Sequence, residues 1–255
     1  MPEPNRLCKL IDLHCHILPE IDDGAKSLKE SLAMAQQAVD DGIHTIVATP
    51  HTLDGSYQNT APEVRLKVTE LQRSFQENEI PLTLCVGADV HLCADLLEQI
   101  RAGEVSTIND TGKYILLEIP HQTVPARVKD EIFALKLNGI TPIISHPERH
   151  PIIQHDLRVL SELVNMGALC QITAMSITGE FGEIAKVSAE KMLKRQLVHI
   201  IASDAHSPDD RPPILTSAVE AAAEILDNYN AAYRMVTDVP SAILAGDPVE
   251  FPEPT

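Results

Sequence analysis

Between Ser27 and Gly42 the apolar positions Leu28, Leu32, Ala35 and Val39 step by four, three and four residues. That spacing predicts an amphipathic helix. Ser27, with Glu30 three residues on, has the form of a capping box, and Gly42 suits the left-handed residue that ends a helix. A β-branched run, IHTIVATPH, follows and stops at Pro50. The cycle of helix, glycine and strand returns in VPARVKDEIFALKLNG then ITPIISHPERH, and in HDLRVLSELVNMG then ALCQIT.

Apolar runs of strand length fall at Leu10–His14, Ile43–Thr49, Leu82–Gly87, Tyr114–Ile119, Ile140–Ser145, Ala168–Thr173 and Val198–Ser203. Helical patterns separate most of them. Near-continuous Val, Ile and Leu in strands that alternate with helices indicates a parallel sheet covered by helices. Seven such units in 255 residues predict a distorted (β/α)7 barrel in the α/β class, with residues 1–255 as one domain. An open doubly wound sheet is the alternative. The stretch 247–255, DPVEFPEPT, has three prolines and is expected to be flexible or loosely draped.

Polar chemistry gathers at the strand ends. They carry His14-Cys15-His16, Thr49-Pro50-His51, Gly87-Ala88-Asp89, Glu118 before Pro120, Ser145-His146-Pro147-Glu148-Arg149, and Ser203-Asp204-Ala205-His206. In a parallel barrel these ends meet on one face. Six of the seven strands thus bring an imidazole or a carboxylate to a common rim. Residues i and i+2 of a strand share a face. This places Asp12, His14 and His16 together, turns Cys15 away as a packing residue, and pairs Asp204 with His206.

Composition narrows the possibilities. The formal charge is −17, from 20 basic and 37 acidic residues. Such a chain repels DNA and anionic lipid, which need a basic footprint, although a small basic pocket for one phosphate remains compatible. No apolar stretch approaches the roughly 18–20 residues of a membrane helix, and no secretory signal is visible. The five scattered cysteines read as reduced thiols. Together these features predict a cytoplasmic protein without membrane insertion.

Histidine with Asp and Glu, and no cysteine ligand, favours Mn, Fe or Zn. Several carboxylates favour a multinuclear site, which suits phosphate-ester hydrolysis. Of the other histidines, His44 and His199 sit inside strand patterns and are expected to pack there. His121, His150 and His155 are expected at the surface or rim, and His91 could reach the site. Glu148 reads as a neighbour of the ligands. Arg149 and Arg211 each follow a strand-end ligand in a very acidic chain and could bind phosphate bidentately. A salt bridge to nearby carboxylates is the alternative for both. No cysteine is followed six residues later by arginine, and no G-x-x-x-x-G-K-[ST], G-x-G-x-x-G or G-x-S-x-G is present.

The segments DLHCHILPEIDDGAKSLKES, IVATPH, VGADV, LLEIP, ISHPERH and IASDAHS resemble the PHP (polymerase and histidinol phosphatase) superfamily. Within it they look most like the bacterial metal-dependent protein-tyrosine phosphatases of capsule and exopolysaccharide operons, the CpsB/CapC/YwqE type. The resemblance implies a trinuclear site, with Mn2+ as the expected metal. His14, His16 and Asp204 would hold the first ion, and Asp89 would bridge the first and second. Glu118 and His146 would complete the second; Asp23, His51 and His206 would hold the third. The family usually has Glu where this chain has Asp89, which implies weaker metal binding at the bridge. The implied reaction is attack of a metal-bridging hydroxide on phosphotyrosine, with Arg149 and Arg211 on the equatorial oxygens. A metal-bound water or His206 would be the acid. The implied partner is the tyrosine-rich tail of a polysaccharide-export kinase. Three other readings stay open: a small phosphomonoester such as histidinol phosphate, a nuclease, and a non-catalytic metal-stabilised binding module.

Overall fold

A computed structural model of the chain describes residues 9–249 and 251. Its strands are β1 (Leu10–Cys15), β2 (Ile43–Ala48), β3 (His51–Thr52), β4 (Thr83–Val86), β5 (Asp89–His91), β6 (Tyr114–Glu118), β7 (Thr141–Ser145), β8 (Leu169–Thr173) and β9 (Ile200–Ala202). All neighbouring pairs are parallel. Two of the seven expected strands are each followed, beyond their expected ends, by a short extra strand, β3 after the second and β5 after the third. The second breaks at Thr49-Pro50, where proline has no N–H to give to a ladder. The third breaks at Gly87-Ala88. A Cβ on Gly87 would lie 2.6 Å from Val47 Cγ1, so glycine permits this close approach of the two strands.

The breaks divide the ladder into a three-stranded sheet, β1-β2-β4, and a six-stranded sheet, β3-β5-β6-β7-β8-β9. Chain continuity joins β2 to β3 and β4 to β5, which keeps the strand units in sequence order. The ring does not close through a continuous ladder. β1 meets the segment after β9 through one isolated bridge, Cys15 to Ala205. Hydrogen bonds from Asp204 N to His14 O (2.8 Å) and from His16 N to Ala205 O (2.8 Å) complete that seam.

The helices follow the apolar spacing. Helix Leu28–Asp40 buries Met34, Ala35 and Ala38, and Ser27 caps it by accepting from Glu30 N. The Glu30 carboxylate accepts from Lys26 N, one residue further back than a capping box requires. Helices Val128–Leu137 and Arg158–Asn165 stand where their periodicity placed them. No helix among the described residues is long and apolar enough to cross a membrane.

Apolar packing lies on both sides of the strands. The larger cluster joins the helices to the outer strand face. A smaller one includes Leu116, Ile143, Leu169 and Ile200 from β6 to β9, closed off by Val239 and Ile243 of helix Asp238–Ala245. Alternation along the strands then fixes what comes next: Glu118, Ser145 and Gln171 lie two residues beyond Leu116, Ile143 and Leu169. Each buried Leu or Ile contributes about 1.5–3 kcal/mol, whereas buried polar groups cost energy unless partnered. The apolar tier therefore supports a polar tier that needs partners of its own.

Asp247–Val249 and Phe251, part of the stretch expected to be loose, pack against this base. Tyr114 Oη donates to Asp247 O at 2.6 Å, and Val249 and Phe251 lie against the smaller cluster. Residues 250 and 252–255 of that stretch, and Cys8, lie outside the described residues. Cys15 and Cys170 are buried and Cys85 and Cys93 partly buried; all four are free thiols.

Candidate metal centre

The strand ends converge. His14 Nε2 and His16 Nε2 lie 3.1 Å apart. His16 Nδ1 faces the Asp22 carboxylate at 2.7 Å, and His14 Nδ1 faces Gln171 Oε1 at 2.9 Å. Both partners accept, so each Nδ1 carries the proton and each Nε2 presents a lone pair; these tautomers follow from the hydrogen-bond network. Asp204 Oδ1 stands 3.3 Å from His14 Nε2 and 3.6 Å from His16 Nε2. Three acceptors thus face one another in a buried space. Only a proton or a cation between them relieves the conflict.

Asp89 repeats the pattern. Its buried Oδ2 has no hydrogen-bond partner. It lies 3.6 Å from His14 Nε2, 3.5 Å from His51 Nδ1 and 3.7 Å from His146 Nε2. Glu118 reaches His146 Nε2 at 3.7 Å and His51 Nδ1 at 3.6 Å. At the mouth, Asp23 Oδ1 approaches His51 Nε2 at 3.6 Å and His206 Nε2 at 3.4 Å. His206 Nδ1 donates to the Asp204 carbonyl at 2.9 Å, so Nε2 is the atom it turns to Asp23. Four donor groups compact enough to hold an ion follow: His16-Asp23-His51-His206, His14-Asp89-His146, His14-His16-Asp204 and His51-Asp89-Glu118. All nine residues expected as ligands occur among them, although the set expected for a second ion is split between two groups.

Electrostatics agrees with a donor set built for cations. Burial, then His206, His51 and His14, hold His16 well below the usual imidazole range. Burial also lowers His14, against the pull of Asp204 and Asp89. Neutral imidazole is the form that ligates metal. Burial would raise Asp204, but Arg149, His14, Arg211 and His146 outweigh it and keep the carboxylate ionised. The hydrogen bond with His206 brings Asp23 down to about 2.

Local backbone explains how these side chains meet. His146 (φ 34°) and Asp204 (φ 52°) both adopt the left-handed conformation directly after their strands. For residues other than glycine this costs roughly 1–3 kcal/mol each and is typical of functional sites. Gly24 has its own necessity: a Cβ there would lie 2.1 Å from His16 O. With Gly24 N donating to Asp22 Oδ1 and Ala25 N to His16 O, the DDGA turn folds directly onto His16.

Other expected residues divide. Asp12 is buried, but the β1–β2 register shifts between Asp12 and Cys15, and its carboxylate accepts from Ser203 N and Oγ instead of joining the histidines. Cys15 packs in the apolar cluster, as expected. His91 Nδ1 reaches Glu118 at 3.6 Å, at the edge of the site. His150, expected at the surface or rim, is 5% exposed, with Nε2 2.9 Å from Pro120 O. There it fastens the loop that carries His121. His155 is exposed. Glu148 is fully buried, accepts from Thr173 N and Ser176 Oγ, and stands 3.9 Å from Arg149 Nε. Arg149 and Arg211 both donate an Nη2 to Asp204 Oδ2, the salt bridge of the alternative reading. Their Nε atoms are buried without hydrogen-bond partners.

Sequence reasoning passed over Asp22 and Gln171, which orient His16 and His14. Asp22 was visible as the neighbour of Asp23. Gln171 was visible as a lone amide in ALCQIT, on the strand that brought no charge to the rim.

A cavity of about 230 Å³ opens at this end, lined by Asp23, His51, Glu118, His121, His146, Arg149, Asp204, His206 and Arg211. A larger one, about 580 Å³, lies at the opposite end of the strands between His199, Tyr114, Lys136 and Phe251. Among the described residues, the donors converge in the smaller of these two.

The chain is similar to known proteins along most of its length. Residues 10–245 match the family described as capsular polysaccharide synthesis, CpsB/CapC. The chain is 39% identical over 206 residues to the putative tyrosine-protein phosphatase CapC of Staphylococcus aureus, covering 81% of this chain and 80% of that one. It is 38% identical over 202 residues to the tyrosine-protein phosphatase YwqE of Bacillus subtilis (strain 168), covering 79% of each. A solved structure from work on YwqE of Bacillus subtilis and CpsB of Streptococcus pneumoniae, described as unique metal-dependent tyrosine phosphatases, superposes with a TM-score of 0.92 at 33% identity, covering 96% of this chain and 98% of that one. With a family match along nearly its whole length and relatives above 30% identity, the chain belongs to the CpsB/CapC family of capsular polysaccharide synthesis.

Proposed function

We propose that this chain is a metal-dependent protein-tyrosine phosphatase. The observation that supports this most is the group of mutually facing acceptors, His14 Nε2, His16 Nε2, Asp204 Oδ1 and Asp89 Oδ2, beside two arginines with unused donors. His14, His16 and Asp204 would hold one cation, with Asp89 shared between it and a second. Glu118 and His146 would serve the second, and Asp23, His51 and His206 the third. Manganese is the proposed ion; iron and zinc also suit an N/O donor set. Such cations, when bound, make water a nucleophile near neutral pH and stabilise charge on the attacking and leaving oxygens.

The chain's own groups do the rest. Arg149 and Arg211 present Nε–H donors and positive charge to the equatorial oxygens of a phosphoryl group. Asp22 and Gln171 keep His16 and His14 in the ligating tautomer. His206, with Nδ1 committed to a backbone carbonyl, serves as a ligand in this reading and not as the acid. A tyrosine leaving group has a pKa of about 10, which asks less of an acid than an alkoxide does. Asp23, 51% exposed at the mouth, marks an opening through which a protein side chain can enter. The proposed substrate is the tyrosine-rich tail of a kinase of capsule synthesis, encountered in the cytoplasm.

The test is turnover of a phosphotyrosine peptide, a phosphoserine peptide and histidinol phosphate by chelator-stripped and Mn2+-reloaded protein. The proposal expects metal-dependent turnover with the phosphotyrosine peptide preferred. Higher efficiency on histidinol phosphate, or equal turnover after stripping, would sink it.

A further inference from the structure

Phe181 stands in the turn between helices Ala174–Thr178 and Glu183–Lys194. Gly179 (φ 104°) and Gly182 (φ 88°) shape the turn, and Phe181 N donates to Met175 O at 3.3 Å. The ring centroid lies 5.0 Å from the guanidinium carbon of Arg149 and 5.4 Å from that of Arg211. The two arginines come from different strand ends, yet one ring serves both.

The arginines need such a support. Both reach Asp204 Oδ2 through Nη2, Arg211 also reaches the Asp204 carbonyl at 2.9 Å, and Arg149 Nε stands 3.9 Å from Glu148 Oε1; neither guanidinium makes a two-nitrogen fork on one carboxylate, so each plane can still tilt. Two like charges on one carboxylate oxygen also repel each other. An aromatic face attracts both cations through its quadrupole and gives them a flat wall. The helix leading into the turn braces Arg149 a second way, because Ser176 Oγ and Thr173 N hold the neighbouring Glu148. The buried Nε of each arginine makes no hydrogen bond, with that of Arg149 3.9 Å from Glu148 Oε1.

We infer that Phe181 is a positioning residue for the arginine pair: its ring fixes both guanidinium planes so that their free N–H donors converge on one tetrahedral oxyanion. The inference rests on the proposed phosphatase reading and needs no contact between Phe181 and substrate.

The experiment compares Phe181→Leu, which keeps bulk and removes the π face, with Phe181→Tyr, which keeps it. The metal-loaded full chain is assayed on p-nitrophenyl phosphate, with inorganic phosphate as competitive inhibitor and metal content measured alongside. Loss of two partly buried cation–π contacts should lower kcat/KM of Phe181→Leu by about tenfold and weaken phosphate inhibition in parallel. Phe181→Tyr should stay within about threefold of the parent on both measures, and metal content should not change. Three results would overturn the inference: Phe181→Leu as active as the parent, both variants losing alike, or activity falling while phosphate inhibition holds. A parent enzyme inactive on aryl phosphate with metal present would instead defeat the phosphatase reading.

Discussion

His199 offers a prediction whose size can be worked out. It precedes β9 at the base of the barrel, 4% exposed, with its ring edge-on to Phe251 at 4.3 Å between centroids. Its Nδ1 accepts from Cys170 N at 3.0 Å. Burial pushes its pKa from 6.5 down to about 4, more than the backbone contact at Leu197 restores. In the unfolded chain the imidazole takes a proton as pH falls through the ordinary value; in the folded chain it does so only near the lower one. The unfolded state therefore binds more protons in that window. Stability is intact above the upper value and is lost as pH falls toward the lower. From about pH 7.5 to about pH 4.5 the linkage integral gives a loss of about 2.5 kcal/mol. His199→Asn removes the titration while its Oδ1 can still accept from Cys170 N. Lost packing against Phe251 should add a constant offset. Urea unfolding of chelator-treated parent and variant at both pH values isolates the effect, since distant titrating groups cancel in the difference. The parent should lose about 2.5 kcal/mol more than the variant on acidification. An equal loss in both would refute the assignment of a buried neutral imidazole.

Four further outcomes are expected. Arg211→Ala removes one charged donor and should lower kcat/KM on a phosphotyrosine peptide by about ten- to a hundredfold, as a hydrogen bond to a charged group is worth about 1.5–3 kcal/mol; unchanged efficiency would remove its role. Asp22→Asn should weaken metal affinity by about ten- to a hundredfold in a chelator-competition titration with little change in melting temperature; undiminished affinity would show that His16 needs no orienting carboxylate. Gly24→Ala forces a Cβ onto His16 O and should lower both stability and metal content, detected by thermal melting and elemental analysis; a variant matching the parent in both would contradict the close approach. Asp89→Glu should raise occupancy at a bridged metal; equal metal counts in both forms would dismiss the idea that the shorter carboxylate weakens the bridge.

Sequence pattern reached far here because two periodicities never conflict. The four-three spacing of Leu28, Leu32, Ala35 and Val39 and the β-branched run after Gly42 each point to one element. Parallel strands then bring their polar ends together by geometry alone. Pattern could not reach features set by neighbours distant in sequence. The register shift in β1 that sends Asp12 to Ser203, the burial of His150 beneath the loop after β6, and the sharing of Asp204 by Arg149 and Arg211 depend on which chains lie alongside. Period two could not separate Asp12 from His14. The seam between β1 and β9 was likewise invisible, because a strand pattern does not say how tightly a ring closes.

In the proposed phosphatase, side chains from separate strand ends cage a cluster of cations. An anomalous-difference map from crystals grown with Mn2+ tests it most directly. Peaks are expected among His14, His16 and Asp204, among Asp89, Glu118 and His146, and among Asp23, His51 and His206. Peaks elsewhere on the surface, with none inside this ring of side chains, would contradict it.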